Sequence, residues 1–288
     1  MKQLSELSTL GIGGGVKDFF EAHSIEEMRK AILTCRKKRL HYLILGKGSN
    51  VLFDDRGFNG AVIVNKIDFM REARPGVFHI GAGNSFSLLG VRTARQGWSG
   101  LEFASGIPGS VGGAIFMNAG ANGTETCESL DSIDYLTDEG KYQQIKKDDV
   151  RFSYRYSSFH SMDGSILGGT FILKKCDQAR KKQLEILNYR KKTQPYDQKS
   201  AGCMFRNPPN HHAGALIEQC GLKGFTVGGA KVSEVHANFI INTGKGKSGD
   251  ILTLGKLIEQ VVKEKTGVEL QLELRYIPYR TNRGQHDP

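Results

Sequence analysis

Apolar and polar positions recur along this chain with two periods, and the switches between them predict a mixed succession of helices and strands. Ser24 followed by Glu27 has the spacing of a capping box, and Ile25, Met28, Ile32 and Leu33 return at helical intervals up to Arg39. The run Tyr42 to Leu45 reads as a strand, a glycine turn follows, and Ala61 to Val64 reads as a second strand. From Phe78 the pattern predicts a short strand, a helix over Ser85 to Gln96, a glycine-rich segment, and strands near Ser132 to Leu136 and Ser165 to Lys174. The charged stretch DQARKKQLEILNYRKKTQP, which stops at Pro195, reads as a helical connector. Beyond it lie a helix at Ala213 to Gln219, a strand at Ala237 to Ile241, a helix at Asp250 to Lys265 and a strand at Val268 to Ile277. The polar, aperiodic end of the chain, 281–288, is expected to be a flexible tail.

These patterns divide the chain into 1–65, 66–176 and 177–280, a length that suits two or three domains better than one core. Hydrophobic residues at 39% and charged residues at 24% are ordinary for a globular protein, and no apolar run reaches the roughly 20 residues a membrane helix needs. The start MKQLSELSTLGIGG carries neither a secretory nor a transit signature, so a cytoplasmic, membrane-free protein is expected. Five cysteines at wide spacings give neither a disulfide framework nor a metal pair. The net charge of +10 favours anionic ligands, but the basic residues are scattered and no nucleic-acid motif accompanies them. A small anionic molecule fits better than nucleic acid.

Two glycine-rich loops carry the candidate chemistry. LILGKGSNVLF takes an apolar strand into a turn at Gly46 to Asn50, and EFASGIPGSVGGAIFMNAGANG, beginning at Glu102, repeats glycine every few positions. Successive peptide N–H groups in such turns form concave, partly positive nests. A Rossmann fingerprint would launch a helix from the first loop, whereas Val51, Leu52 and Phe53 favour extended chain. Gly246-Lys247-Ser248 has Ile241 where a Walker loop needs glycine, and reads instead as a helix start.

Six blocks in order, GKGSNVL from Gly46, GIPGSVGG from Gly106, NAGA from Asn118, Tyr154-Arg155, AGCMFRNP from Ala201, and Glu273-Leu274-Arg275, resemble the UDP-N-acetylenolpyruvoylglucosamine reductases, the MurB family, over nearly the whole chain. The resemblance implies an α+β fold: a two-subdomain FAD-binding module of the PCMH/VAO type, 1–65 and 66–176, followed by a substrate-binding domain at 177–280. It implies non-covalent FAD, NADPH as co-substrate, and reduction of enolpyruvyl-UDP-N-acetylglucosamine to UDP-N-acetylmuramate in bacterial peptidoglycan synthesis. The cofactor residues it implies are Gly46, Lys47, Gly48, Ser49, Asn50, Val51 and Leu52, then Gly106, Ile107, Pro108, Gly109, Ser110, Gly112 and Gly113, then Asn118, Ala119 and Gly120. It assigns Arg155 and Glu273 to stabilising an enolate-like intermediate, Cys203 to proton delivery, and Asn207, Lys231 and Arg275 to the substrate.

The family generally carries serine at the Cys203 position, and a thiol, with an ordinary pKa of about 8.5, is a far stronger acid than an alcohol. The interval from Arg155 to Cys203 resembles the shorter branch of the family, which lacks a substrate-capping insertion. Plainer roles stand beside each assignment: a stacked surface arginine for Arg155, the solvent face of an edge strand for Glu273, a small buried side chain for Cys203, and a structural hydrogen bond for His236. A sugar or alcohol oxidase of the same superfamily is the rival enzyme class, although the histidine that commonly tethers its flavin is absent from both glycine loops. A non-enzymatic sensor of flavin or precursor is the other rival.

Overall fold

The computed structural model describes residues 1–280, so the tail expected at 281–288 lies outside the described residues. The chain opens with strands Lys2–Gln3 (β1) and Gly15–Ala22 (β2), helix Ile25–Lys37 (α1), and strands Tyr42–Leu45 (β3), Val51–Phe53 (β4), Phe58–Asn65 (β5), Met70–Arg74 (β6) and Val77–Gly81 (β7). Helix Phe86–Arg95 (α2), strand Trp98–Ser99 (β8), helix Val111–Phe116 (α3) and strands Gly120–Ala121 (β9), Thr124–Glu125 (β10), Leu130–Thr137 (β11) and Tyr142–Lys146 (β12) follow. The hairpin Phe152–Ser153 (β13) and Tyr156–Ser157 (β14) leads to Gly164–Ile172 (β15), Lys174–Lys175 (β16) and helix Ala179–Thr193 (α4). The last part holds Lys199–Cys203 (β17), helix Ala213–Gln219 (α5), Thr226–Val227 (β18), Ala230–Val232 (β19), Phe239–Asn242 (β20), helix Ser248–Thr266 (α6) and Arg275–Ile277 (β21). The interleaved helices and mostly antiparallel sheets make an α+β fold, as expected.

These elements pack into two compact units. One comprises Met1–Asp18, Gly48–Gly60 and, among the described residues, 191–280; the other comprises Phe19–Lys47 and Ala61–Arg190. The chain thus passes between units at 18/19, 47/48, 60/61 and 190/191, whereas the sequence pattern suggests divisions after 65 and 176.

In the Phe19–Arg190 unit, β3 and β5 pair in parallel from Tyr42↔Ala61 to Leu45↔Val64. The helix α1 covers a core containing Met28, Ala31, Ile32 and Cys35. Ser24 caps it, accepting from Glu27 N at 3.1 Å, but Glu27 reaches back to His23 N at 2.8 Å, one residue earlier than a capping box requires. Leu33, expected on the inner face, is 42% exposed because it lies one position past the Met28–Ala31–Ile32–Cys35 stripe. A five-stranded antiparallel sheet, β12-β11-β15-β7-β6, carries the second core, which includes Ile80, Phe86, Ile115, Ile133 and Phe171.

In the other unit, the sheet β17-β20-β19-β18 is backed by α5 and α6 around Ile217, Ile240, Ile251, Leu254 and Ile258. Lys247 sits at the N-cap of α6, so Gly246-Lys247-Ser248 is a helix start. The strand expected at Val268 to Ile277 shrinks to Arg275–Ile277. Its earlier part bonds irregularly to the loop after β17, through Arg206 N to Gln271 O at 2.8 Å and Glu273 N to Met204 O at 2.8 Å. An isolated Phe205↔Leu272 bridge stands where the ladder was expected. Among the described residues no helix is long and apolar enough to cross a membrane.

Candidate active site

The first glycine loop straddles the boundary between the units. Gly46 and Lys47 close β3 in one; Gly48, Ser49, Asn50, Val51 and Leu52 open β4 in the other. A Cβ on Gly46 would lie 2.2 Å from Ser110 Oγ and 3.2 Å from Ser110 Cβ, so glycine here lets the two glycine-rich loops touch. Gly48 has φ +64°, and a Cβ there would lie 1.9 Å from Leu7 O. Val51 and Leu52 are buried and paired with Arg275 and Tyr276 in the β4–β21 ladder.

The second loop turns at Gly106 (φ +84°) and Gly109 (φ +135°), conformations that favour glycine. Gly106 N donates to Ser87 Oγ at 2.8 Å and Ile107 N to Ala104 O at 2.9 Å, while Pro108 is exposed. The N–H groups of Val111 and Gly112 donate to Asn84 O and Ala82 O, both at 2.9 Å, and Gly113 N reaches Ser110 Oγ at 3.3 Å. A Cβ on Gly112 would meet Ala82 Cβ at 2.8 Å. Gly112 and Gly113 lie in the first turn of α3, where Gly112 packs against Ala82.

Lys47 and Lys66 follow the C-terminal ends of the parallel strands β3 and β5. Lys47 is exposed as a residue, yet desolvation of its ammonium and then the nearby Lys66 charge lower its pKa. A site that disfavours a second positive charge is one an anion stabilises, and turns of left-handed glycine beside it suit an extended diphosphate. The residues present fit FAD on that ground. Nothing in the sequence marks Lys66, because only the parallel pairing of β3 with β5 brings its charge near Lys47.

Asn118 is left-handed at φ +43° and fully buried. Its Nδ2 donates to Glu125 Oε2 at 2.7 Å and Ser153 O at 3.1 Å, and its Oδ1 accepts from Cys127 N at 3.1 Å. Ala119 O accepts from Thr126 N and Oγ1, and Gly120 O from Arg155 Nη2 at 3.0 Å. Arg155 occupies the second position of the β13–β14 turn with φ +56° and lies over the Tyr154 ring, 4.7 Å from its centroid. The stacked arginine of the plainer reading is thus present, fastened to the same segment as Asn118. A left-handed non-glycine residue stores about 1–3 kcal/mol of strain, which is characteristic of functional turns.

The other unit brings Cys203, Glu273, Arg275 and Asn50 onto connected backbone. Gly202 (φ +78°) precedes Cys203 where the β17–β20 register slips between Ser200 and Cys203, and such a bulge re-aims the side chain that follows. Cys203 is half-buried beside a small apolar recess lined by Leu10, Met204, Ile240, Ile251 and Leu274. Met204 O accepts from Glu273 N, Asn50 O accepts from Arg275 N at 3.2 Å, and Asn50 Nδ2 donates to Glu273 O at 3.3 Å. Glu273 is half-buried in an irregular segment, not on the solvent face of an edge strand. Burial lowers the pKa of Arg275.

The remaining candidates lie in the same unit. Asn207 Oδ1 accepts from Ala213 N at 3.0 Å, holding the first turn of α5. Lys231, on β19, sits 3.0 Å from Glu234. His236 is structural: Nδ1 accepts from Asn238 N at 3.2 Å, and burial lowers its pKa.

An α+β chain whose N-terminal half carries two touching glycine loops beside paired lysines, and whose C-terminal part presents a thiol, a carboxyl and a guanidinium, has the organisation of a two-part flavoprotein. The family model described as FAD binding domain matches residues 17–146, and the one described as UDP-N-acetylenolpyruvoylglucosamine reductase, C-terminal domain, matches residues 194–277. A UDP-N-acetylenolpyruvoylglucosamine reductase from Protochlamydia amoebophila is 58% identical over 281 residues, covering 98% of this chain and 94% of that protein. Its namesake from Chlamydia pneumoniae is 45% identical, with 96% and 91% covered. The crystal structure of the Thermus caldophilus enzyme superposes with a TM-score of 0.82 at 34% identity, covering 96% of this chain and 98% of that one. This chain belongs to the UDP-N-acetylenolpyruvoylglucosamine reductase family.

Proposed function

We propose that this protein reduces the enolpyruvyl ether of UDP-N-acetylglucosamine to UDP-N-acetylmuramate, with NADPH as reductant and FAD as cofactor, in cytoplasmic peptidoglycan synthesis. The single observation that carries the chemistry is the backbone connection joining Asn50, Met204, Glu273 and Arg275, which puts the thiol-bearing bulge next to the carboxyl-bearing segment. Held by the glycine-rich loops from Gly46 and from Gly106, FAD would supply hydride transfer from NADPH to one carbon of the double bond. The neighbouring carbon needs a proton, which Cys203 Sγ–H supplies, and the thiolate regains its proton from solvent. Negative charge accumulating on the substrate carboxylate is stabilised by Arg155 and Glu273, the arginine as a fixed cation and the glutamic acid as a hydrogen-bond donor.

In the same reading 1–65 and 66–176 hold the flavin and 177–280 carries the sugar nucleotide, whose phosphates meet Lys231 and Arg275. The ligands are this nucleotide sugar and NADPH, with no nucleic acid or membrane involved, and the chain follows the shorter branch that lacks a capping insertion. The oxidase alternative finds no support among the relatives described, which carry the reductase name.

Stopped-flow absorbance separates the two half-reactions. Cys203→Ala is expected to leave flavin bleaching by NADPH intact and to slow substrate-dependent reoxidation by about 10²- to 10⁴-fold. Loss of both half-reactions together, or of neither, would overturn the proton-donor role. A preparation without flavin absorbance that FAD cannot reconstitute would overturn the function.

A further inference from the structure

Directly after the first glycine loop's strand, a buried carboxylate holds together the two chain segments on which the proposed chemistry depends. Asp54 is 5% exposed and immediately follows β4. Its Oδ1 accepts from Arg56 N and Arg56 Nε, both at 2.9 Å, and its Oδ2 accepts from Arg56 Nη2 at 2.8 Å and from Tyr276 Oη at 2.7 Å. The Arg56 guanidinium also lies over the Tyr279 ring, 5.3 Å from its centroid. Tyr276 is the central residue of β21, directly between Arg275 and Ile277.

The ladder that this cluster closes is weak by itself. Strands β4 and β21 form an isolated parallel pair with three register partners, Arg275↔Val51, Tyr276↔Leu52 and Ile277↔Phe53. A lone two-stranded pair is marginal, and parallel pairing is the less stable kind. At one end Asn50 accepts from Arg275 N and donates to Glu273 O; at the other Asp54 N donates to Ile277 O at 3.1 Å. A slip of one residue would reverse the face on which Arg275 projects and shift Glu273 along the chain. Tyr276 Oη is suited to a fixed donor role, since burial and then its bond to Asp54 push its pKa up to about 12.

We propose that Asp54, clamped by Arg56 and bonded to Tyr276, is a positioning residue: it fixes the β4–β21 register and thereby the placement of Glu273 and Arg275 for reduction of the enol ether. The inference rests on the proposed roles of those two residues, and it adds three that neither the glycine motifs nor the family blocks contain. Arg56 and Tyr279 restrain the carboxylate from the solvent side, and Tyr276 transmits its position to the strand.

The test uses the FAD-loaded full chain. Tyr276→Phe removes one hydroxyl and leaves Asp54 bonded to Arg56, so no bare buried charge results; Asp54→Asn and the double variant complete a cycle. Enzyme reduced anaerobically by NADPH is mixed with enolpyruvyl-UDP-N-acetylglucosamine and reoxidation is followed. A misplacement of about 1 Å costs on the order of 10²-fold in well-oriented reactions, so Tyr276→Phe is expected to slow reoxidation by about 10- to 100-fold. Flavin content and the rate of reduction by NADPH stay at wild-type values, and the double variant is no slower than the slower single one. Wild-type reoxidation in Tyr276→Phe, equal slowing of both half-reactions, or losses that multiply in the double variant would overturn the proposal. Glu273→Gln separates the two levels: wild-type reoxidation in that variant refutes the site reading itself, whereas slow reoxidation there with fast Tyr276→Phe refutes the positioning role alone.

Discussion

Gly46→Ala places a methyl group where the two glycine loops meet. The added Cβ would stand 2.2 Å from Ser110 Oγ and 3.2 Å from Ser110 Cβ, and the hydroxyl can escape by rotating away. Rotation abandons its bond from Gly113 N, the N-cap of α3, worth about 1 kcal/mol. The remaining Cβ contact is an overpacking term of about 1–3 kcal/mol, giving a total near 2–4 kcal/mol. Ser110→Ala alone should cost about 1 kcal/mol, the cap term. In Gly46→Ala/Ser110→Ala the cap is lost once instead of twice, so the double variant should be more stable than the sum of the singles by about 1 kcal/mol. Chemical denaturation of the apoprotein measures the cycle, and FAD titration reports whether parting the loops weakens the cofactor site. Strict additivity would refute the argument that Gly46 is glycine because of Ser110. So would a Gly46→Ala protein with a wild-type midpoint.

Gly202→Ala meets no atom within 4 Å but must hold φ +78°, so it should cost about 1–2 kcal/mol in melting experiments and slow reoxidation of the reduced flavin by turning Cys203 away. Asp55→Ala removes the carboxylate that accepts from Ser248 N at 2.9 Å and Ser248 Oγ at 2.7 Å at the start of α6; a loss of about 1–2 kcal/mol by thermal denaturation is expected, with Asp55→Asn milder. Hydrogen bonds from Arg56 and Tyr276 outweigh burial and hold the Asp54 carboxyl well below its unfolded value of about 3.9. Its stabilising contribution is therefore full above about pH 5 and declines as pH falls through the unfolded value toward the folded one, and Asp54→Asn should flatten the acid limb of a denaturation-midpoint profile between about pH 5 and pH 2.

Elements governed by local chemistry were legible in the sequence. The strand Tyr42–Leu45, the helix Ala213–Gln219 and the Ser85-capped helix Phe86–Arg95 follow from apolar spacing and caps alone. Lys199–Cys203 was not legible, since KSAGC has no apolar alternation and becomes a strand only by pairing with Phe239–Asn242. The segment Leu270 to Leu274 alternates like a strand, yet its partners are the irregular loop at Met204 and Arg206. The glycine loops were visible as loops, but the reasons for several glycines were not: Gly46 answers to Ser110, Gly48 to Leu7 and Gly112 to Ala82, all distant in sequence. Asp54 and Asp55 look interchangeable in the string FDDRG, and only folding assigns one to Tyr276 and the other to Ser248.

The four crossings of the chain between its compact units have a consequence for synthesis on the ribosome. Residues 19–47 and 61–190 emerge before anything after Lys191 and can collapse as one body early in translation. The unit that bears Cys203 and Glu273 cannot, because its N-terminal pieces, 1–18 and 48–60, must wait for nascent chain made last. A polypeptide stalled near residue 190 therefore presents Leu10, Ile12 and Leu52 without the partners that bury them, and those side chains are where a chaperone's grip is expected during elongation.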